Sequence, residues 1–215
     1  QVTLARNAAG KLVHTGAYVG DDLDTYLGAA KQARDENITV LDEPLKKVVC
    51  VMQGDEFFST WVANKAVYRT RMALADGGEL GIIAPGLKRF GEQPEVDAFI
   101  RKYGYVGTPR VMEQYRQNAD MQDLAHATAH LIHGSSEGRF RITYAPGHLT
   151  QAEVEQVNFG YADINQVLAK YPIDSLQEGR QTIDGEEVFF IPTHSAGLWA
   201  TRARLFNRAS GFGEG

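Results

Sequence analysis

A group of polar and aromatic residues directly follows an apolar run in the first third of the chain. The run VVCVMQ leads into GDEFFSTWVANK, which carries Asp55, Glu56, Trp61, Asn64 and Lys65. An ammonium is a compact cation with three donors, so Lys65 is suited to hold the carboxylate or hydroxyl of a small substrate. We predict Lys65 as a catalytic residue and the other four as substrate-binding residues. The alternative is that Lys65 is an ordinary solvated lysine.

A second polar loop holds two cations between two glycines. The segment GLKRFGE carries Lys88 and Arg89, and it follows the apolar run ELGIIAP. Glycines let the backbone approach a ligand, and a guanidinium can bind a carboxylate through two parallel hydrogen bonds. We therefore predict that Lys88 and Arg89 bind an anionic substrate, with an ordinary charged surface turn as the alternative. The segment is not a Walker loop, because no GK[ST] ending follows.

Three histidines lie close together in HATAHLIHG, at His126, His130 and His133. Their spacings of four and three would place them on one face of a helix. No glutamate stands between them in the HExxH pattern, which weakens a metalloprotease interpretation. A structural role near the helix dipole is an equal alternative for His133. We predict His130 as a substrate-binding residue and predict no metal ligand.

The elements that must position these residues follow the order of an α/β protein. Continuous apolar runs such as KKVVCVMQ and ELGIIAPG are typical of strands covered on both faces, and helical patterns separate them. The order predicts a mainly parallel, helix-covered sheet of the Rossmann-like, three-layer kind. Ligands collect beyond the carboxyl ends of such strands. The loops at residues 54–60, 85–91 and 145–148 should therefore share one edge of the sheet.

Local signals divide the chain into three parts. Residues 1–20 are predicted to form a β-hairpin with the turn NAAGK. We expect this hairpin to be a link to another domain. Residues 21–208 predict the α/β domain, and residues 209–215, SGFGEG preceded by Ala209, a flexible tail. The domain should open with a helix capped by Asp21 or Asp22, in which Leu23, Tyr26, Leu27 and Ala30 form one stripe.

Three further helix predictions concern the middle of the chain. One helix is expected from residue 58 to residue 75, with the glycine pair at 77–78 as its left-handed cap. Thr108 is expected to cap the helix that follows it. Residues 119–134 are expected to form a single helix.

Composition narrows the class of protein. The 215 residues are 43% hydrophobic and 23% charged, which is ordinary for a globular protein. A net charge of -5 weighs against nucleic acid or an anionic membrane as the partner. The single cysteine, Cys50, lies in an apolar run, which favours a buried structural thiol over a disulfide or a zinc cluster. No run reaches the ~20 apolar residues of a membrane span, so we expect a cytoplasmic protein.

Seven motifs that span nearly the whole chain carry a family resemblance. They are GKLVHTGAYVG, KKVVCVMQG, Lys65 placed twelve residues before the glycine pair, ELGIIAPGLKRFGE, IRKYGYVGTPR, AHLIHGSSEGRFRITYAPGHL and EEVFFIPTHSAGLWATRAR. In this order they resemble the C-terminal half of the nickel-dependent lactate racemase family, which contains 2-hydroxy acid racemases and epimerases. The later motifs are similar to a branch of sugar-acid epimerases. Each motif alone is weak, and their order carries the resemblance.

The resemblance implies a two-domain enzyme with its active site between the halves. The N-terminal half would supply a histidine acid/base pair, the nickel ligand and the lysine that carries a nickel-pincer nucleotide. Histidine would take the hydroxyl proton, and hydride would leave the α-carbon for the pincer and return to the other face. Lys65 matches the lysine with which the C-terminal half holds the substrate. This chain would then bind a small anionic hydroxy acid, such as an aldonic acid, and be inactive without its N-terminal domain.

Two positions depart from the lactate racemase pattern. Val62 stands where close members carry a glutamine, and Asp123 aligns near a tryptophan. Both differences imply a different, more polar substrate.

Two other functions are compatible with the same residues. The chain could be a non-catalytic domain that binds anions or sugar acids, or one that binds a partner. A zinc hydrolase using the three histidines is the third hypothesis. The sequence contains neither a GxSxG elbow nor a GxGxxG fingerprint, so a serine hydrolase and a self-sufficient dinucleotide site are not supported.

Overall fold

The computed structural model of the chain describes residues 1–192 and 197–206. The strands in this part are β1 (Val2–Arg6), β2 (Leu12–Ala17), β3 (Thr39–Leu41), β4 (Leu45–Val51), β5 (Leu74–Ala84), β6 (Arg141–Pro146), β7 (Gly160–Tyr161), β8 (Gly179–Ile183), β9 (Glu186–Ile191) and β10 (Trp199–Thr201). The helices are α1 (Leu23–Asn37), α2 (Thr60–Ala63), α3 (Lys65–Thr70), α4 (Pro94–Tyr103), α5 (Thr108–Gln117), α6 (Ala119–Asp123), α7 (Ala125–His133), α8 (Gln151–Gln156), α9 (Ile164–Lys170) and α10 (Arg202–Leu205). None of these helices has the length and apolar character needed to cross a membrane. The predicted tail at 209–215 lies outside the described residues.

A six-stranded sheet forms the centre of the fold. Its strand order is β7-β6-β5-β4-β9-β8, and every neighbouring pair is parallel except β8 and β9. The predicted α/β fold with a mainly parallel, helix-flanked sheet is therefore confirmed. The predicted hairpin is also present, since β1 and β2 pair antiparallel, and β3 pairs with β10 in a small parallel sheet.

Successive residues of the central strands face two different cores. In β4, Val48 and Cys50 lie in the larger core with side chains of α2 to α8, whereas Val49 and Val51 lie in a smaller core with α9. Because both faces are covered, the strand is a continuous apolar run in the sequence. Cys50 is fully buried, as predicted for a structural thiol, and this burial raises the pKa of the thiol.

The hairpin packs on the first helix. Its turn is held by Asn7, whose side-chain oxygen accepts two backbone N–H groups, and Gly10 takes a φ of +74° there. Asp22 caps α1 by accepting the backbone N–H of Thr25 at 2.7 Å, which confirms one of the two predicted caps.

The prediction of one helix from residue 58 to residue 75 is wrong. The chain forms α2 and α3 instead, broken at Asn64, and then enters β5 at Leu74. Gly77, with a φ of +76°, lies inside β5, where the residues between Leu74 and Glu79 leave the ladder with β4. The glycine pair therefore serves a β-bulge, since only glycine enters the left-handed region without strain.

Two other helix predictions are corrected. Gly107 precedes α5 as its cap, and Thr108 is the first helical residue. Thr108 donates both its hydroxyl (2.9 Å) and its backbone N–H to the carboxylate of Glu137, which satisfies the helix end from outside. The single helix expected over residues 119–134 is broken at Leu124, whose ψ of 48° is not helical.

Three loops follow β4, β5 and β6 at the carboxyl edge of the sheet. We call residues 54–60, which end in the first residue of α2, the first loop, and residues 85–91 the second loop. Residues 145–148, which begin with the last two residues of β6, are the third loop. The first and second loops are joined because the backbone N–H groups of Lys88 and Arg89 donate to the carbonyl of Phe58, at 3.0 and 3.2 Å. The expected meeting of the loops at one edge is thus present.

The loops approach one another more closely than a side chain would permit. A Cβ added to Gly86 would lie 2.1 Å from the carbonyl oxygen of Gly54, and one added to Gly147 would lie 1.8 Å from that of Pro85. Both partners are backbone atoms, which cannot rotate away as a flexible side chain would. Glycine at these positions is therefore a condition for the three loops to pack.

We expect Gly86→Ala to lower the free energy of unfolding by about 1–3 kcal/mol, because the new methyl group overlaps the Gly54 carbonyl. Urea denaturation of the purified chain measures this change. Gly81→Ala is the matched control, since its Cβ would meet its nearest neighbours at an ordinary 3.7 Å. Equal unfolding free energies for the two variants would contradict the proposed constraint.

Candidate active site

Two lysines lie over neighbouring aromatic rings at the first loop. Lys65 is the first residue of α3, and its Nζ lies 6.0 Å from the centroid of the Phe57 ring. The Nζ of Lys88, from the second loop, lies 4.5 Å from the centroid of the Phe58 ring. Neither ammonium forms an ion pair within residues 1–192 and 197–206. Two cations without a carboxylate partner give this edge a local attraction for small anions.

Arg89 has a carboxylate partner from its own loop region. Its Nη2 lies 2.8 Å from Oε2 of Glu92, and the hydroxyl of Ser59 donates to the other oxygen of the same carboxylate. The hydrogen bond from Ser59, followed by that from Arg89, lowers the pKa of Glu92. A substrate carboxylate that bound Arg89 as predicted would have to share it with Glu92.

Trp61 and His130 are brought together from two helices that are distant in the sequence. Their rings stack with centroids 4.4 Å apart and an interplanar angle of 30°. The ring of His126 meets the same indole edge-on at 5.9 Å. The break at Asn64 places Trp61 on α2, where it packs against α7, and places Lys65 on the separate helix α3.

A chain of hydrogen bonds fixes the orientation of the His130 ring. Its Nε2 lies 2.9 Å from the hydroxyl of Tyr105, which in turn lies 2.8 Å from the hydroxyl of Thr60. Because Thr60 donates its hydrogen to the carbonyl of Phe90, it accepts from Tyr105, and the Tyr105 oxygen accepts from His130. The neutral His130 ring therefore carries its hydrogen on Nε2.

The partly buried position of His130 also determines its charge. Burial is the main cause that lowers its pKa from 6.5 to about 4, and the nearby His133 adds to the effect. His130 is consequently neutral at pH 7. It can offer an aromatic face and a hydrogen-bonding nitrogen, but no positive charge for an anion.

Asn64 joins the site to the interior of the protein. It is 1% exposed, and its side-chain oxygen accepts the hydroxyl of Tyr144 at 2.7 Å. Its Nδ2 is buried without a hydrogen-bond partner among the described residues. The same nitrogen lies only 2.3 Å from the place where a Cβ on Gly134 would stand. Asn64 thus holds the junction of α2 and α3, and its side chain faces the core.

The two predicted carboxylates lie apart from this network. Asp55 and Glu56 are exposed in the turn after β4, and neither forms an ion pair within the described part of the chain. Sequence reasoning missed three hydroxyl groups of the site, those of Thr60, Tyr105 and Tyr144. Only Tyr144 had a signal, since it lies in the apolar strand pattern RFRITYAPG, where a buried phenol needs a partner.

No group of three or more His, Cys, Asp or Glu side chains is placed to hold a metal ion in residues 1–192 and 197–206. The zinc hypothesis based on the three histidines of α7 therefore has no ligand set there. The nickel-pincer nucleotide implied by the family resemblance likewise finds no ligand set for its metal in this part of the chain.

Comparison with known proteins identifies relatives by fold only. No protein-family model matches the chain, and no curated protein matches it. A crystal structure of a Thermotoga maritima protein matches with a TM-score of 0.66 at 21% identity, over 94% of this chain and 48% of that one. The lactate racemase apoprotein of Thermoanaerobacterium thermosaccharolyticum matches with a TM-score of 0.57 at 13% identity, over 92% of this chain and 45% of that one. This chain has a lactate-racemase-like fold and spans about half the length of these two proteins.

We expect Tyr144→Phe to lower the free energy of unfolding by about 1–3 kcal/mol, because it leaves the buried oxygen of Asn64 without a donor. Urea denaturation measures the change. Tyr68→Phe, at an exposed tyrosine of α3, is the matched control and should change stability by less than about 0.5 kcal/mol. Similar values for the two variants would show that the Asn64–Tyr144 bond is not important for stability.

We expect His130 to reduce stability in mild acid. The unfolded chain takes up a proton near pH 6.5, whereas folded His130 does so only near pH 4, so stability is full above pH 6.5 and falls as the pH drops toward 4. The loss reaches about 3 kcal/mol. His130→Gln keeps a donor for Tyr105 without titrating, and the difference between its urea-unfolding profile and that of the parent isolates this effect. A constant difference from pH 7.5 to pH 4.5 would contradict it.

Proposed function

We propose that this chain is the substrate-holding half of a racemase or epimerase that acts on small 2-hydroxy acids. The observation that carries the proposal is the position of Lys65. Its ammonium lies at the carboxyl edge of a parallel sheet, without an ion-pair partner in the described residues, in a fold that resembles lactate racemase. Ligands of such sheets collect at this edge.

The chemistry assigned to this chain is binding and orientation. Lys65 donates hydrogen bonds to the substrate carboxylate or hydroxyl, and Lys88 adds positive charge from the second loop. The Trp61 indole supplies an apolar wall, which the stacked His130 ring keeps in place. Exclusion of water by these rings would strengthen the contact between the ammonium and the anion.

Inversion of the α-carbon needs a proton acceptor and a hydride acceptor. The resemblance assigns both to the N-terminal half of the family, where a nickel-pincer nucleotide would supply the hydride chemistry. The described residues of this chain offer no ligand set for that metal, so no step through the group is assigned to them. On this proposal the 215-residue chain does not turn over substrate alone.

Arg89 has a narrower role in the proposal. Its guanidinium is shared with Glu92, so it stabilises the second loop and makes at most a second contact with the ligand. Asn64 acts as a positioning residue, because its buried side chain fixes the junction from which Lys65 begins α3.

A longer polypeptide that contains this chain tests the proposal. We expect Lys65→Met to reduce kcat/KM for its preferred 2-hydroxy acid by about 100-fold or more, since a contact to the reacting group is lost. A panel that includes lactate and gluconate, with chiral analysis of the products, identifies the substrate. Lys46→Met is the matched control and should leave kcat/KM unchanged, because Lys46 is an exposed lysine at the opposite, amino end of β4.

Unchanged turnover in Lys65→Met would remove the lysine from the mechanism. Calorimetric titration of the 215-residue chain with the same acids separates the alternative function. A non-catalytic binding module should bind one of them tightly by itself, whereas half of a shared cleft should bind weakly or not at all.

A further inference from the structure

Exposed apolar side chains are concentrated at the amino-terminal end of the chain. The described residues include nine large hydrophobic side chains with high exposure, and seven of them fall within the first 27 residues. These seven are Val2, Leu4, Leu12, Val19, Leu23, Tyr26 and Leu27. Scattered exposed hydrophobic residues need no explanation, but such a concentration marks an interaction surface.

The residues involved belong to one two-layer unit, which we call the arm and define as residues 1–37. It contains the hairpin and α1. The side chain of Gln32 donates to the carbonyl of Thr15 at 2.7 Å, and the hydroxyl of Thr15 donates to Glu36 at 2.6 Å. The hairpin therefore covers the face of α1 that carries Gln32 and Glu36.

The exposed residues of α1 lie on the opposite face of that helix. Leu23 and Leu27, which are 68% and 50% exposed, precede the hairpin-facing residue Gln32 by nine and five residues. At about 100° per residue, these shifts turn the side chain by about 180° and about 140° around the helix axis. The apolar stripe predicted on α1 is thus largely exposed.

Part of this stripe already contacts the rest of the protein. Arg34, which lies further along the same face, places its guanidinium 5.1 Å from the centroid of the Phe206 ring. The bare residues Leu23, Tyr26 and Leu27 are nearer the start of the helix. The stripe therefore begins at the α/β domain, near Phe206, and extends from it into solvent. This arrangement suits a surface that a second domain covers.

The outer face of the hairpin also carries exposed apolar side chains. In its register Leu4 is opposite His14 and Arg6 is opposite Leu12, which places these four side chains on one side of the ribbon. Thr3 points to the other side and is buried. Leu4 and Leu12, together with Val2, are exposed on the side turned away from α1. The arm consequently carries exposed apolar side chains on both of its outer faces.

We propose that the arm inserts into a second domain of a longer polypeptide, which buries both outer faces. This second domain corresponds to the part of the two solved structures that the chain does not match. The match to the Thermotoga maritima protein omits 6% of this chain, which is about 13 residues. Because the arm has 37 residues, the match must include part of it. More than half of the Thermotoga maritima protein lies outside the match. The exposed side chains that define the two faces are large and hydrophobic, so the second domain should present an apolar surface to them.

This inference rests on one part of the proposed function, namely that the chain is one half of a longer polypeptide. Thiol labelling tests the inference separately from the enzymatic activity. Cys50 is the only cysteine of the chain and is fully buried, so an introduced cysteine reports its own exposure. Leu12→Cys reports the hairpin face and Leu27→Cys the helix face, and Glu113→Cys on α5 is the control. Each is prepared in the 215-residue chain and in the longer native polypeptide.

We expect maleimide to label Leu12→Cys and Leu27→Cys at least about tenfold more slowly in the longer polypeptide, with no change for Glu113→Cys. Equal rates in both proteins, or protection of only one face, would overturn the proposal. So would a native polypeptide that consists of these 215 residues alone. Protection in the 215-residue chain that grows with its concentration would assign the surface to a second copy instead.

Turnover distinguishes this inference from the proposed function. If both faces are labelled equally while racemisation depends on Lys65, the arm proposal fails alone. If both faces are protected while the longer protein is inactive on every 2-hydroxy acid, the function fails and the arm proposal stands.

Discussion

The close approach of three backbones at one edge of the sheet is the constraint on which the candidate site depends. Parallel β4, β5 and β6 end side by side, and Gly86 and Gly147 let the following loops touch carbonyl oxygens of their neighbours. Hydrogen bonds to the Phe58 carbonyl then fix the second loop against the first. Lys88 and the start of α2 take their positions from this contact, so the placement of charge depends on the absence of a Cβ.

Below that edge, a buried polar network keeps the site in one arrangement. Tyr144, in β6 of the central sheet, donates a hydrogen bond to Asn64. Tyr105, between α4 and α5, is hydrogen-bonded both to Thr60 of α2 and to His130 of α7. Burial makes an unpaired polar group costly, so each of these bonds restricts where α2 and α3 can lie. The lysine in the proposal thus begins a short helix whose first turn is anchored in the core.

The sequence was most informative where burial determines the pattern. Continuous apolar runs predicted β4 and β5, because both faces of these strands are buried. The polar loops that follow the two strands predicted that the loops meet at the carboxyl edge of the sheet. Where a local signal has two meanings, prediction failed. A glycine such as Gly77 can form a β-bulge as readily as it can end a helix. The hydroxyl of Thr108 donates to Glu137, 29 residues away, and does not cap its own helix. The network around Asn64 joins residues up to 80 positions apart, which no local pattern records.

The partial solvent contact of Trp61 has a spectroscopic consequence. The chain contains two tryptophans, and Trp199 of β10 is buried against Phe189 of β9. Trp61 alone of the pair lies at the edge of the sheet in partial contact with solvent. Emission from its indole therefore reports the polarity of that edge without any added dye, and Trp199 provides an internal reference. The protein carries its own fluorophore for ligand titrations.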